Sequence, residues 1–89
     1  TMKQPTTNNQ EILYHLIKLG YVDIFDFPYL SGFRTRVSNL KLNYGVEMFE
    51  MNKYHTNKFG RKITYVRHFL SDKEKAIEIY NNMTKTSHL

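Results

Sequence analysis

The sequence contains no cysteine and no tryptophan, and it has only two prolines and four glycines among its 89 residues. Without cysteine the chain has no disulfide framework, no thiolate zinc site and no cysteine nucleophile, which is typical of a protein in a reducing compartment. No apolar run approaches the roughly 18 residues of a membrane span, and we expect no signal peptide from the residues at the start of the sequence. These absences predict a cytoplasmic protein without membrane contact.

Motifs for catalysis and metal binding are also missing. The chain has no glycine-rich phosphate loop, no serine nucleophile motif and no kinase signature. Its four histidines are scattered, without the pair at i and i+4 that a metal site on a helix would show. Asp23 and Asp26 are close in sequence, but Asp26 is better explained as a helix cap than as half of an acid–base pair. We therefore expect no enzyme, no cofactor, no metal and no small-molecule substrate.

Aromatic residues and positive charge are what the chain has in quantity. Six Phe and seven Tyr, within an apolar content of 40%, are too many for a disordered chain. The formal charge is +5, and residues 31–70 carry eight of the 13 Lys and Arg but only two of the eight acids. A basic middle between near-neutral ends is typical of a surface that faces phosphates, although an ordinary solvated surface would also be charged.

The first helix is indicated by a cap and an apolar stripe. Thr7 and Gln10 have the spacing of a capping box, and the apolar residues after them recur at helical intervals. Gly20 then offers a left-handed stop. These signals predict a helix over about residues 8–19, followed by a short extended segment over residues 21–24.

A second and a third helix are predicted before Gly45. Asp26 is expected to cap a brief second helix that begins at Phe27-Pro28, because proline is tolerated in a first helical turn. Ser31-Gly32 then predicts a tight turn. The third helix has one narrow buried stripe at i, i+4, i+7 and i+11. The stripe consists of Phe33, Val37, Leu40 and Tyr44.

The second half of the chain predicts a β-hairpin and a last helix. Alternation from 46 to about 54, a turn-rich stretch over 57–60 and a β-prone run over 61–70 indicate two strands joined by a basic loop. Ser71 and Glu74 have the spacing of another capping box, which opens the last helix. That helix is expected to pack on the first helix, and pairing with its twin in a homodimer is compatible with this packing. Its apolar side consists of Ala76, Ile77, Tyr80 and Met83.

This order of elements predicts an α+β domain of the winged helix-turn-helix class, with three helices, a β-hairpin wing and an added C-terminal helix. No repeat and no interior linker divides the sequence, so we predict one domain over residues 1–89. Its parts are a loose tail, a three-helix core, the wing and the C-terminal helix, at residues 1–6, 8–45, 46–70 and 71–83.

Two short motifs resemble the small winged helix-turn-helix DNA-binding domains of phages and prophages. The first reads Arg36-Val37-Ser38-Asn39-Leu40-Lys41, then Tyr44-Gly45-Val46-Glu47-Met48, and the second is Gly60-Arg61-Lys62-Ile63 with Phe69-Leu70 at the end of the wing. The resemblance covers roughly residues 9–70 and departs from the pattern in the second helix, where Pro28 and Gly32 leave space for barely two turns. It implies a small regulator of transcription that binds double-stranded DNA, in the cytosol of a bacterial host if the chain is phage-encoded.

The predicted DNA-binding residues lie on the third helix and on the wing. Short polar side chains on a helix can read base edges in the major groove, while Lys and Arg at a hairpin tip can follow phosphates. Base contacts are expected from Arg34, Thr35, Ser38 and Asn39, and phosphate contacts from Lys41, Lys53, Lys58, Arg61 and Lys62. Ser31 completes the set, together with Arg36, which is as well placed for a phosphate as for a neighbouring carboxylate.

Two other functions fit the same sequence. The scaffold could be a protein-interaction module that grips a host protein through its aromatic hairpin, or an accessory DNA factor in excision, replication or packaging. Tyr54 and Phe59 could stack on sugar or base, but aromatic residues in hairpins more often pack across the strands. The sequence does not separate a repressor from an activator or an architectural factor.

Overall fold

The structure, a computed structural model, describes residues 3–84 and is a small α+β domain. Three helices and one antiparallel sheet of three strands, ordered β1-β3-β2, alternate in a layout compatible with a winged helix. The elements are α1 (Asn8–Leu19), β1 (Tyr21–Asp23), α2 (Phe33–Asn43), β2 (Met48–Thr56), β3 (Lys62–Leu70) and α3 (Lys73–Thr84). Within the described residues no helix is both long and apolar enough to span a bilayer.

The first helix forms where the sequence predicts it. The Thr7 hydroxyl accepts a hydrogen bond from the Gln10 backbone N–H at 3.2 Å, which satisfies one of the free donors of the first turn. At the other end Gly20 has a φ of 87°, and its N–H donates to the Leu16 carbonyl at 2.7 Å. The segment before the helix, predicted as part of a loose tail, contacts it, because the Thr6 N–H donates to the Gln10 Oε1 at 2.7 Å.

The predicted second helix is wrong. In its place a three-residue 3₁₀ turn spans Ile24–Asp26 and is capped by Asp23, while the Asp26 carboxylate accepts from the Asp23 N–H at 2.8 Å. Asp26 therefore closes a turn that precedes it instead of opening a helix after it. The residue before a proline avoids the helical region, and Phe27, which precedes Pro28, accordingly has φ −133° and ψ 59°.

The third predicted helix corresponds to α2, and three of its four stripe residues are buried. Phe33, Val37 and Leu40 belong to the core. Tyr44 does not, since it is the C-cap of α2 and is exposed, which corrects the predicted stripe. Gly45, at a φ of 76°, then redirects the chain toward β2.

The last helix packs on α1, as the sequence predicts. Tyr80 is fully buried, its ring lies 5.6 Å from that of Tyr14, and its hydroxyl donates to the Lys3 carbonyl at 2.6 Å. The predicted cap at Ser71 is wrong by one residue. The Asp72 carboxylate instead accepts from the Lys75 N–H, at 3.1 Å.

The predicted hairpin is confirmed, and its two long strands give the sheet two distinct faces. Side chains directly opposite each other on paired strands point to the same face, and neighbours along a strand alternate. We call inner the face that carries Val22 and His68, because it packs toward the helices. The outer face carries Tyr21, Phe69 and Phe49, which pair with one another across all three strands.

Candidate nucleic-acid interface

The outward side of α2 presents short polar and basic side chains. Arg34, Thr35 and Ser38 are exposed, as the sequence predicts for the base-reading residues. Gly32 caps the helix at a φ of 75° and without any side-chain hydrogen bond to the first turn. Ser31, also exposed, directly precedes this end of the helix.

A groove of about 650 Å³ separates α2 from the wing. Arg34, Ser38 and Lys41 line its helix side, while Thr64 and His68 are among the residues that line it from β3. Apolar side chains form much of the groove between these polar groups. A concave, mostly apolar surface with a few polar side chains is typical of a ligand site, and the volume of this groove lies in the usual range for such sites.

One acid lines this groove, Glu50, and its charge is compensated within the described residues. The Lys41 Nζ donates to the Glu50 Oε2 at 3.0 Å, and the His68 Nδ1 lies 3.4 Å from the same oxygen. The hydrogen bond from Lys41, together with its positive charge, lowers the pKa of the Glu50 carboxyl. This ion pair leaves Lys41 less available to a phosphate than the sequence predicts.

His68 is the one buried histidine of residues 3–84, and it supports a prediction about pH. Burial lowers the pKa of His68 below its ordinary value of 6.5, because charging the ring beneath α2 costs hydration. The unfolded chain therefore binds more protons than the folded one as pH falls below 6.5, and stability contributed by the neutral ring is lost on acidification.

We expect His68→Gln to reduce the loss of unfolding free energy between about pH 7 and pH 5. Urea unfolding of both proteins across this range measures the effect, and the carboxyl groups stay largely ionised there. His55→Gln, at an exposed histidine, is the control variant and is measured over the same range. If the unfolding free energies of wild type and His68→Gln change equally with pH, the role given to His68 is contradicted.

The wing tip is a tightly built turn. The Asn57 side-chain oxygen accepts from the backbone N–H groups of Phe59 and Arg61, at 2.9 Å each. Gly60 follows with a φ of 82°, a conformation that favours glycine. The turn therefore holds its basic side chains at the end of the hairpin on an ordered backbone.

The basic residues of the tip lie over aromatic rings. The Lys62 Nζ is 4.6 Å from the centre of the Tyr54 ring, and the Lys58 Nζ is 5.5 Å from that of Phe59. Arg61 is exposed between them. No Asp or Glu occurs between Glu50 and Asp72, so the tip has no sequence-adjacent acid.

Two of the predicted site residues lie apart from this arrangement. Lys53 is on the outer face, with its Nζ 5.9 Å from the centre of the Phe69 ring, and therefore points away from α2. Arg36 is half-buried, and its Nε makes no hydrogen bond to the described part of the chain. Asn39 is also half-buried but lines the outward side of α2 with Arg34 and Ser38. Its Oδ1 accepts from the Asn9 Nδ2 at 3.3 Å, which ties α2 to α1.

Sequence reasoning missed the apolar part of the groove. Leu42 is 81% exposed on α2, and Phe25 of the 3₁₀ turn is 52% exposed. Leu42 falls outside the buried stripe of its helix, and this position alone could have predicted an exposed apolar side chain. Phe25 carried none, because its position depends on the turn that replaces the predicted second helix.

Among the described residues, no three His, Asp or Glu side chains converge in a way that could hold a metal ion. Comparisons of the chain with protein-family models, with curated proteins and with solved structures give no significant match.

Proposed function

We propose that this protein is a winged helix-turn-helix domain that binds double-stranded DNA in a sequence-specific manner, with α2 in the major groove and the wing along the backbone. The observation that carries the proposal is the pairing of two acid-poor surfaces. The outward side of α2 and strand β3 of the wing line one groove, and the one acid among its lining residues is compensated by Lys41. The basic tip lies at the end of the same hairpin.

The chemistry of each surface suits a different part of the duplex. The B-form major groove admits an α-helix, and Arg34 can bond two acceptors of a guanine while Thr35 and Ser38 can donate to or accept from base edges. Phosphates carry no sequence information but dominate affinity, and Lys58, Arg61 and Lys62 can neutralise them. Specificity would therefore come from α2 and most of the salt-dependent affinity from the wing.

The biological role follows from the resemblance to phage and prophage domains. We propose a small regulator of transcription encoded by a phage or mobile element and acting in the bacterial cytosol. An accessory DNA factor in excision or replication would use the same contacts at another place. A homodimer through α3 stays a prediction, since the packing of Ala76 and Tyr80 on α1 is compatible with it.

Salt-dependent fluorescence anisotropy with a mixed-sequence duplex tests the proposal. If about six phosphates are neutralised, the plot of log affinity against log salt should have a slope near −5, from about −0.9 per contact. Selection from a random library would then give the site, and Arg34→Ala should relax specificity at one base position. No binding at low salt would contradict the proposal.

The apolar residues of the groove favour the second candidate, a protein-interaction module. Leu42, Phe25 and Ile24 line the groove with exposed apolar surface, and such surface marks docking sites when it is contiguous. If the chain binds another protein with an affinity that does not depend on salt, and has no affinity for duplexes, this function is favoured over the first.

A further inference from the structure

The outer face of the sheet carries a stack of aromatic rings with one open end. The rings of Tyr21 and Phe69 have their centres 6.2 Å apart, and those of Phe69 and Phe49 lie 5.2 Å apart and nearly parallel, at 12°. One residue from each of the three strands thus contributes to a continuous row. None of the three rings belongs to the hydrophobic core or packs against it.

Phe49 ends the row on the edge strand β2. Its side chain is 50% exposed, and Phe69 is the one ring it contacts among residues 3–84. The ring face opposite Phe69 is therefore available to a planar group. A further aromatic ring placed there would extend the stack at the same spacing.

Positive charge lies beside the row of rings. The Lys53 ammonium is near the Phe69 ring and forms no ion pair within the described part of the chain. Arg67 covers the Tyr21 ring at 4.6 Å and is bonded to Asp23, whose carboxylate is buried beneath it. Lys53 is thus a cation beside the rings that no described carboxylate pairs, while the acid nearest in sequence to Phe49 among the exposed ones before it, Glu47, is paired with Lys75.

We propose that the outer face binds single-stranded nucleic acid, with an unpaired base stacked on Phe49 and a neighbouring phosphate bound by Lys53. A planar base and an anion at adjacent positions are the two features of this ligand, and stacking of bases on aromatic side chains beside basic groups is how single strands are commonly bound. The base faces inside a duplex are already covered by their neighbours, so a closed duplex would not use this surface. The inference is separate from the proposed duplex site, which uses α2 and the wing tip.

The test uses the full chain and a fluorescein-labelled oligothymidylate of about 16 nucleotides, which forms no duplex. Wild type should bind it, and Phe49→Leu should weaken binding roughly 5- to 150-fold, since leucine keeps an apolar side chain but loses the ring. Tyr29→Leu is the control, because Tyr29 is an exposed ring that lies outside α2, the wing and the outer face. It should change the affinity less than about twofold.

Two further measurements guard against an indirect effect. Urea unfolding of each variant shows whether a loss of binding reflects a loss of structure, and an upfield shift of the Phe49 ring protons on adding oligothymidylate reports stacking directly. Equal weakening by both substitutions, no binding by wild type, or bound oligothymidylate without ring shifts would each overturn the inference. If wild type binds oligothymidylate but no duplex, the result would contradict only the proposed function.

Discussion

Replacing Lys58, Arg61 and Lys62 together with glutamine is expected to lower the affinity for duplex DNA by about 500-fold at 0.1 M salt. Each neutralised phosphate changes the log–log salt slope by about 0.9, so each lost contact costs about a factor of eight at this salt concentration. The slope should become shallower by about 2.7. The loss should be similar for all sequences, because phosphate contacts do not read bases.

The control for this variant removes the same charge elsewhere. Lys18, Lys73 and Lys75 are exposed and lie outside α2 and the wing. Replacing these three with glutamine should leave the slope nearly unchanged, since surface charges beyond about a Debye length are screened. Anisotropy titrations of wild type and both variants at several salt concentrations make the comparison. Equal losses in the two variants would mean that net charge alone attracts the duplex, without a wing contact.

Tyr80→Ala is expected to destabilise the protein by about 3–5 kcal/mol, the usual cost of truncating a large buried aromatic residue. Tyr80 is fully buried, contacts Tyr14, and fixes the first described residues through its hydrogen bond to the Lys3 carbonyl. Domains of this size have a total stability near the low end of about 5–15 kcal/mol. The substitution therefore removes much of it and should lower the melting temperature by more than about 12 °C.

Two milder variants provide the comparison, one at Tyr80 itself and one at the exposed Leu42 of α2. Tyr80→Phe keeps the ring and loses only the hydrogen bond to Lys3, for about 1 kcal/mol. Leu42→Ala removes an apolar side chain that is largely exposed, and should change the stability by less than about 0.5 kcal/mol. Chemical denaturation of the three variants measures these values. A cost for Tyr80→Ala no larger than that for Leu42→Ala would contradict the packing of α3 on α1.

Local signals determined which parts of the fold could be predicted. The Thr7 cap and the Gly20 stop are short-range features, so the bounds of α1 follow from the sequence alone. The second helix failed because two capping choices compete within four residues. Asp23 and Asp26 cap the 3₁₀ turn between them, and Pro28 keeps the residue before it, Phe27, out of the helical region.

The sequence predicts the site residues whose role depends only on exposure to solvent. It does not predict those whose role depends on a contact with another helix or strand. Arg34 and Arg61 are exposed as expected. The pairing of Lys41 with Glu50 depends on contact between α2 and β2, and the position of Lys53 depends on the hairpin register, which a one-residue shift would reverse. Neither property is visible in the spacing of residues along the chain.

The measurement that tests the central claim most directly is an amide chemical-shift titration of the isotope-labelled protein with a mixed-sequence duplex. It reports, residue by residue, whether α2 and the wing tip belong to one DNA-binding surface. We expect the largest shifts at Arg34, Ser38 and Arg61, and little change at Glu78 on the exposed side of α3. Shifts concentrated outside α2 and the wing tip, or none at low salt, would contradict the account.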